Sequence, residues 1–407
     1  MKLRLGIAGL GRAATSMLPS LTAHPGVTLT AAADPRPEAR AAFAAEFQAE
    51  VFESVEDLCR SPKVDALYIA TPHQFHREHV LLAAGYGKHA IIEKPMALTV
   101  EDCEAMNAAV KRSGTRLVVG HTHSFDPPIL KMRELIEQGL LGPVRMINSW
   151  NFTDFLYRPR RPEELDTSLG GGIIFNQVPH QVDTVRLLGG GLCRNVRAMT
   201  GVWDRARPTE GAHATYLEFE DGTVATIVYS GYDHFDSDEF NEWVGEGGGR
   251  KSAGRHGQAR KALAVLAGQN EAAAKAATGY GGTRQRTHPD SDERGHPHFG
   301  TTVVSCERGD MRPSPRGVLV YADDRKYEVE VPLGRAIPDK GKVIDELYEA
   351  VAHDRPVVHD GRWGEATLEV CLAILQSSRE RRKIALHHQV PSPAAAGEGR
   401  TTITYAC

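Results

Sequence analysis

Apolar residues in the first third of the chain come in short runs: Leu3 to Ala8, Val27 to Ala33, Ala66 to Ala70, Ala90 to Glu93 and Arg116 to Val119. Between these runs, from Pro37 to Phe47, His76 to Gly85 and Val100 to Ser113, apolar positions recur at helical spacing among good helix formers. Short strands alternating with helices predict parallel strands joined by crossover helices, hence a doubly wound sheet over residues 1–122.

After His121 the rhythm changes. A predicted helix from Pro128 to Gln138 leads into a strand from Val144 to Asn151, and β-rich runs recur at Val196 to Val202, Ala214 to Phe219 and Thr223 to Ser230. Glu220-Asp221-Gly222 lies between two of them, and Asp-Gly suits a tight primed hairpin turn, so an antiparallel sheet is expected. Strands from Gly317 to Tyr321 and Lys326 to Val331 and closing helices at Lys342 to His353 and Trp363 to Arg382 complete a second domain over 123–390, with a tail at 391–407. Residues 245–300 interrupt it with Gly247-Gly248-Gly249, many basic residues and an alanine-rich stretch from Ala259 to Ala277. They predict an insertion with one local helix and flexible flanks.

Composition narrows the function classes. The 407 residues are 41% hydrophobic and 25% charged with net charge −4, so there is no concentrated basic face for nucleic acid. No uninterrupted apolar segment is long enough for a bilayer and the N-terminus opens directly as a strand, so a soluble cytoplasmic protein is expected. Cys59, Cys103, Cys193, Cys306, Cys371 and Cys407 form no CxxC pair and indicate neither a disulfide framework nor a zinc site. His288, His296 and His298 sit among prolines without a carboxylate or cysteine framework, and no metal is expected there.

Gly9-Leu10-Gly11-Arg12-Ala13-Ala14 follows a predicted strand and opens a predicted helix, the context that gives a dinucleotide fingerprint meaning. Gly9 permits the turn, Gly11 lets the backbone approach a pyrophosphate and Ala14 permits close packing, with Arg12 at the helix start. Asp34 ends the second strand, placed to accept hydrogen bonds from an adenosine ribose. An acid there favours NAD over NADP, although Arg36 tempers that preference. Thr71-Pro72-His73 and Glu93-Lys94-Pro95 follow later strands, on the edge where such sheets bind ligands. A lysine beside an oxidised nicotinamide would be driven towards general acid/base use, whereas alone it reads as a surface residue before a turn. Farther on, Gly170-Gly171-Gly172 precedes Asn176 and His180.

Together these residues resemble the Gfo/Idh/MocA family of nicotinamide-dependent oxidoreductases across most of the chain, the insertion excepted. The resemblance implies a Rossmann-like parallel domain followed by an α/β domain on a large, mostly antiparallel open sheet. It makes Lys94 the catalytic lysine and His180 the histidine that contacts the reacting hydroxyl or shares in proton transfer. The chain departs from the family pattern at Asn176, where aspartate is usual, and at His123-Ser124-Phe125, where an Arg-Phe pair is common; Asn176 and His123 are assigned to the substrate side.

Tyr157-Arg158-Pro159-Arg160-Arg161-Pro162 offers bidentate donors for carboxylates, or else a basic loop paired with Glu163, Glu164 and Asp166. This loop, Asn176-Gln177 and the segment Ser230 to Asp236 resemble the branch of the family that contains phthalate 4,5-cis-dihydrodiol dehydrogenases. That branch implies oxidation of a carboxylated ring diol, with Arg158, Arg160 and Arg161 clamping carboxylates. A dehydrogenase of sugars, inositols or other cyclic polyols and a non-catalytic nucleotide-responsive protein are the competing readings. An open sheet also benefits from being covered, so a homo-oligomer is expected.

Overall fold

The computed structural model describes residues 2–254, 256–266, 270–283, 294–334, 336 and 339–392. The chain divides into two compact units: Met1–His121 with Asn270–Pro289 and Arg335–Leu368, and Thr122–Gln269 with Asp290–Gly334 and Glu369–Cys407. By this division the first unit is not contiguous in sequence. The first unit takes back two later stretches of chain.

In the first unit, β1 (Leu3–Ala8), β2 (Val27–Ala33), β3 (Glu50–Phe52), β4 (Ala66–Ile69), β5 (His89–Ile92) and β6 (Leu117–Val119) form a parallel sheet in the order β3-β2-β1-β4-β5-β6. The central strand β1 is apolar on both faces, and Leu5, Ile7 and Ala8 are fully buried, as a sheet covered on both sides requires. The helices Pro37–Phe47, His76–Gly85 and Val100–Ser113 occupy the predicted ranges. Edge strand β3 and the helix Val55–Arg60, capped by the Ser54 hydroxyl accepting from Asp57 N at 3.1 Å, were not expected. At the other edge, Val119 N donates to His359 O at 2.8 Å, and the helix Gly341–Ala352 packs on β5 and β6.

The second unit carries a nine-stranded sheet: β7 (Val144–Phe152), β8 (Cys193–Gly201), β9 (Ala212–Phe219), β10 (Val224–Ser230), β11 (Thr301–Cys306), β12 (Gly309–Ser314), β13 (Gly317–Ala322), β14 (Lys326–Glu330) and β15 (Ile384–Ala385). Its order is β14-β13-β12-β11-β7-β10-β9-β8-β15, and only β7 and β10 run parallel. The helix Val178–Leu188 packs on β7 and β10 and is buried at every residue. The β9–β10 hairpin forms as expected, but its turn differs. Phe219 N donates to Thr223 O at 2.9 Å and only Gly222, at φ +88°, is left-handed, giving a three-residue loop instead of a primed turn.

The insertion is also corrected. Its alanine-rich stretch forms two short helices, Gln258–Val265 in the second unit and Glu271–Ala276 in the first. Its flanks are built into the second unit: Val244 pairs with Arg250 and Gly249 with Arg294. Buried His296 meets Val331 O at 2.9 Å and buried His298 meets Val244 O at 2.7 Å. His288 and the tail from residue 393, Cys407 included, lie outside the described residues. No helix among the described residues is long and apolar enough to cross a membrane.

Candidate functional site

The nucleotide fingerprint forms the turn from β1 into the helix Arg12–Ala23. Gly9 has φ +89°, and a Cβ there would press on Ala70 O at 3.0 Å, so the turn requires glycine. A Cβ on Gly11 would meet no atom within 4 Å, which leaves room beside the helix start for a phosphate group. Arg12 is exposed there, while Ala14 is buried and faces inward. Asp34, buried at the end of β2, accepts from Leu10 N at 2.7 Å. Arg36 Nε donates to its other oxygen at 2.9 Å and Arg36 Nη2 to Leu10 O at 2.8 Å. Asp34 therefore organises the glycine turn, and its charge is shared with a guanidinium. These residues fit a dinucleotide. Tyr280, from the insertion, adds N–H to Leu10 O at 3.3 Å and rings against Phe43 and Phe47.

Glu93-Lys94-Pro95 leaves the carboxyl end of β5; Tyr68 donates its hydroxyl to Glu93 Oε1 at 2.5 Å, fixing that buried carboxylate, and the next residue, Lys94, is half-buried. Thr71 and Pro72 form the corresponding turn after β4, with half-buried His73 following. His76 spans the two turns: Nδ1 lies 2.9 Å from Pro95 O and Nε2 3.0 Å from Thr71 O. Burial lowers its pKa despite those carbonyls, and the buried ring lies between the turn after β4 and the turn that carries Lys94.

In the second unit, His180 lies on the buried helix Val178–Leu188 and packs its ring 4.9 Å from that of His123 and 4.8 Å from Phe299. Thr122 and Ser124, flanking His123, donate their hydroxyls to Asp183 Oδ2, one helical turn after His180. His123 Nδ1 lies 2.6 Å from Asp126 Oδ2, and its Nε2 lies 3.7 Å from Glu246. Burial alone would lower the His123 pKa, but the carboxylates of Asp126 and Glu246 outweigh it and raise it to about 9. Glu246 comes from the insertion, where Gly245 N donates to Gly249 O and Gly248 N to Gly245 O, closing the turn that presents it.

The arginine loop divides. Arg158 Nε donates to Asp154 at 2.7 Å, and its Nη2 lies 3.9 Å from Glu246, which brings it to the His123 and His180 cluster. Arg160 is buried against the Phe155 ring at 3.7 Å and donates to Phe155 O at 2.6 Å; Arg161 pairs with Glu163 at 3.0 Å. Asn176 donates to Gly170 O at 3.1 Å and Gly172 O at 2.8 Å, holding the glycine turn that leads to His180. Glycine is required in that turn because a Cβ on Gly172, at φ +74°, would meet Thr209 Oγ1 at 2.3 Å. Asp126, Glu246 and Phe299 were not singled out from sequence. An acid three residues after His123 was the available signal for the first, and none marked the others.

Residues 3–121 match the model of an oxidoreductase family with an NAD-binding Rossmann fold, and residues 129–249 match that of the GFO/IDH/MocA C-terminal domain. The chain is 44% identical over 381 residues to the 1-carboxy-3-chloro-3,4-dihydroxycyclohexa-1,5-diene dehydrogenase of Comamonas testosteroni, covering 93% of this chain and 95% of that protein. A crystal structure from Bordetella bronchiseptica RB50 matches with a TM-score of 0.89 at 47% identity, covering 95% of this chain and 100% of that one. The NAD(+)-dependent scyllo-inositol 2-dehydrogenase of Bacillus subtilis (strain 168) is 28% identical over 253 residues, 61% of this chain and 72% of that protein.

Proposed function

The chain belongs to the Gfo/Idh/MocA oxidoreductase family, and on that footing we propose that it oxidises a cis-dihydrodiol of a carboxylated ring to a catechol, with NAD as cofactor. The observation that carries this reading is the identity to a carboxy-dihydrodiol dehydrogenase over nearly the full length of both chains. Gly9, Gly11 and Asp34 would hold the dinucleotide, which when bound supplies the acceptor for the hydrogen on carbon.

The roles of the chain's own residues follow from their chemistry. Lys94 takes the hydroxyl proton, on a turn kept rigid by His76 and Glu93. His180 orients the hydroxyl. Arg158 is the loop cation that approaches the His123 and His180 cluster through Glu246, which supports recognition of a ring carboxylate there. The ketone formed from one carbinol then loses the remaining ring proton and gains one on oxygen, and aromatisation draws the reaction forward. The 4,5-dihydrodiol of phthalate is the dicarboxylated candidate, and a monocarboxylated diol like that named for the Comamonas relative is its nearest competitor.

The likeness to an inositol dehydrogenase favours a second reading, a cyclic polyol dehydrogenase whose substrate needs no carboxylate. Absorbance at 340 nm with NAD, the phthalate diol, a monocarboxylated diol, an uncarboxylated diol and myo-inositol separates them. Selective turnover of carboxylated diols is expected. Preference for myo-inositol would replace the substrate, and no reduction with any of the panel would reject both. Lys94→Ala should lower kcat by about 10²–10⁴-fold while NAD still binds.

A further inference from the structure

We propose that His123, His180 and Glu246 form a divalent-cation site, with zinc as its ion, in the second unit. One nitrogen of each imidazole and one Glu246 carboxylate oxygen lie within 4.8 Å of one another, and both histidines are buried while Glu246 is half-exposed. In a tetrahedral zinc site with bonds of about 2.0–2.2 Å the ligand atoms stand roughly 3.3–3.6 Å apart, so modest side-chain movement converts this cluster into a coordination set. His123 Nε2 and Glu246 Oε1, at 3.7 Å, are already near that spacing. Two imidazoles and one carboxylate are also a donor set that suits zinc.

The surroundings support the assignment independently of those distances. His123 Nδ1 is bound by the buried Asp126 carboxylate at 2.6 Å, so Nε2 is the ligand atom once the ion displaces its proton to solvent, and Asp126 supplies the outer carboxylate that metal-bound histidines usually carry. Asp183 ties the turn bearing His123 to the helix bearing His180, so the two imidazoles hold a fixed spacing. Glu246 reaches them on the closed Gly245 to Gly249 turn, and Phe299 packs its ring against both imidazoles. The insertion thus supplies one ligand and the helix another.

Three protein ligands leave one position open, and an oxygen donor fills it. This part of the inference rests on the dihydrodiol reading: the ion would hold a hydroxyl oxygen of the diol and favour loss of its proton, and His180 would act through the ion.

The test titrates Zn²⁺ into full-length, chelator-treated protein against a competing chromophoric chelator, and repeats the titration with Co²⁺ to read its tetrahedral absorption bands. One equivalent of Zn²⁺ is expected, with affinity reduced at least tenfold in Glu246→Gln and in His123→Ala and roughly 10–100-fold in Asp126→Asn. Glu163→Gln, outside the cluster, serves as control and should bind as wild type. Circular dichroism melts establish that each variant is folded, and half-exposed Glu246 is the position least able to disturb the core. Wild-type affinity in folded Glu246→Gln, or no stoichiometric binding to the wild type, would overturn the site. Because binding is read without substrate, failure of the dihydrodiol assignment leaves this result intact. If the diol is turned over, chelation should lower kcat and Zn²⁺ restore it; unchanged turnover by zinc-free enzyme would overturn the role at the hydroxyl.

Discussion

Ser124 donates its hydroxyl to Asp183 Oδ2 at 2.5 Å, and this bond fastens the turn that carries His123 to the helix that carries His180. Thr122 donates to the same oxygen, so one carboxylate sets the spacing of two candidate site histidines.

Asp183→Ala should therefore act on rate and stability together. Depriving two buried hydroxyls of this acceptor costs about 1–3 kcal/mol, read from urea denaturation. Displacement of the imidazoles should lower kcat by about 10²-fold, with KM for NAD unchanged. Asp183→Asn, which keeps one acceptor oxygen, should recover part of both. A loss of stability with kcat preserved would make Asp183 a purely structural residue.

Arg158 and Arg160 should separate. Arg158→Ala is expected to raise KM for a carboxylated diol about tenfold or more, equivalent to about 1.4 kcal/mol. Arg160 lies on the Phe155 ring and bonds its carbonyl, so Arg160→Ala should cost about 1–2 kcal/mol of stability with kcat/KM nearly unchanged. Steady-state kinetics and denaturation on both variants decide this. The reverse pattern would transfer the carboxylate to Arg160.

His213 should make the protein acid-sensitive. It is buried beside Thr215 and Gln181, and burial pushes its pKa down to about 3 from an ordinary value near 6.5. Between those values the unfolded chain binds the extra proton, so this contribution to stability is present above about pH 6.5 and is lost as pH falls towards 3, by up to about 1.4 kcal/mol per unit. His213→Gln should flatten the dependence of the urea midpoint between pH 4 and 6.5. An equally steep profile in that variant would assign the acid sensitivity to other groups.

The outer face of the second sheet should mediate self-association. Trp150 is 43% exposed there, opposite Val228 and Thr301 in neighbouring strands, and Met146, Met199 and Tyr216 are also exposed. Apolar surface of this kind is usually covered. Sedimentation velocity should show a homo-oligomer that Trp150→Glu dissociates; a monomeric wild type would reject the proposal.

Local chemistry made part of this legible. The helix Val100–Ser113 could be read from its helix formers and apolar spacing, and its ends agree with local capping: Thr99 accepts from Asp102 N at 3.2 Å and Gly114, at φ +67°, ends it. Gly9, Asp34 and Lys94 were legible because a strand end followed by a turn fixes where such residues stand. Strand β3 escaped because three half-buried residues on an edge leave no periodicity to detect. The arginine loop was legible in position and in part of its pairing, Arg161 with Glu163 and Arg160 near Glu164, whereas the contact of Arg160 with Phe155 forms only after the chain bends back on itself. Glu246 could not be foreseen. Its place beside His123 depends on long-range folding of the insertion, to which local pattern is blind.

The discontinuous first unit also orders events during synthesis. Val119 is made first, its strand-edge partner His359 follows about 240 residues later, and Gly364, which packs closely on Val119 and Met96, follows later still. At ordinary elongation rates of about 5–20 residues per second, β6 waits roughly ten to fifty seconds on the ribosome for that partner. A nascent chain ending at residue 121 is consequently an unfinished sheet with an open edge, and completion of the nucleotide-binding unit waits for synthesis to pass Gly364.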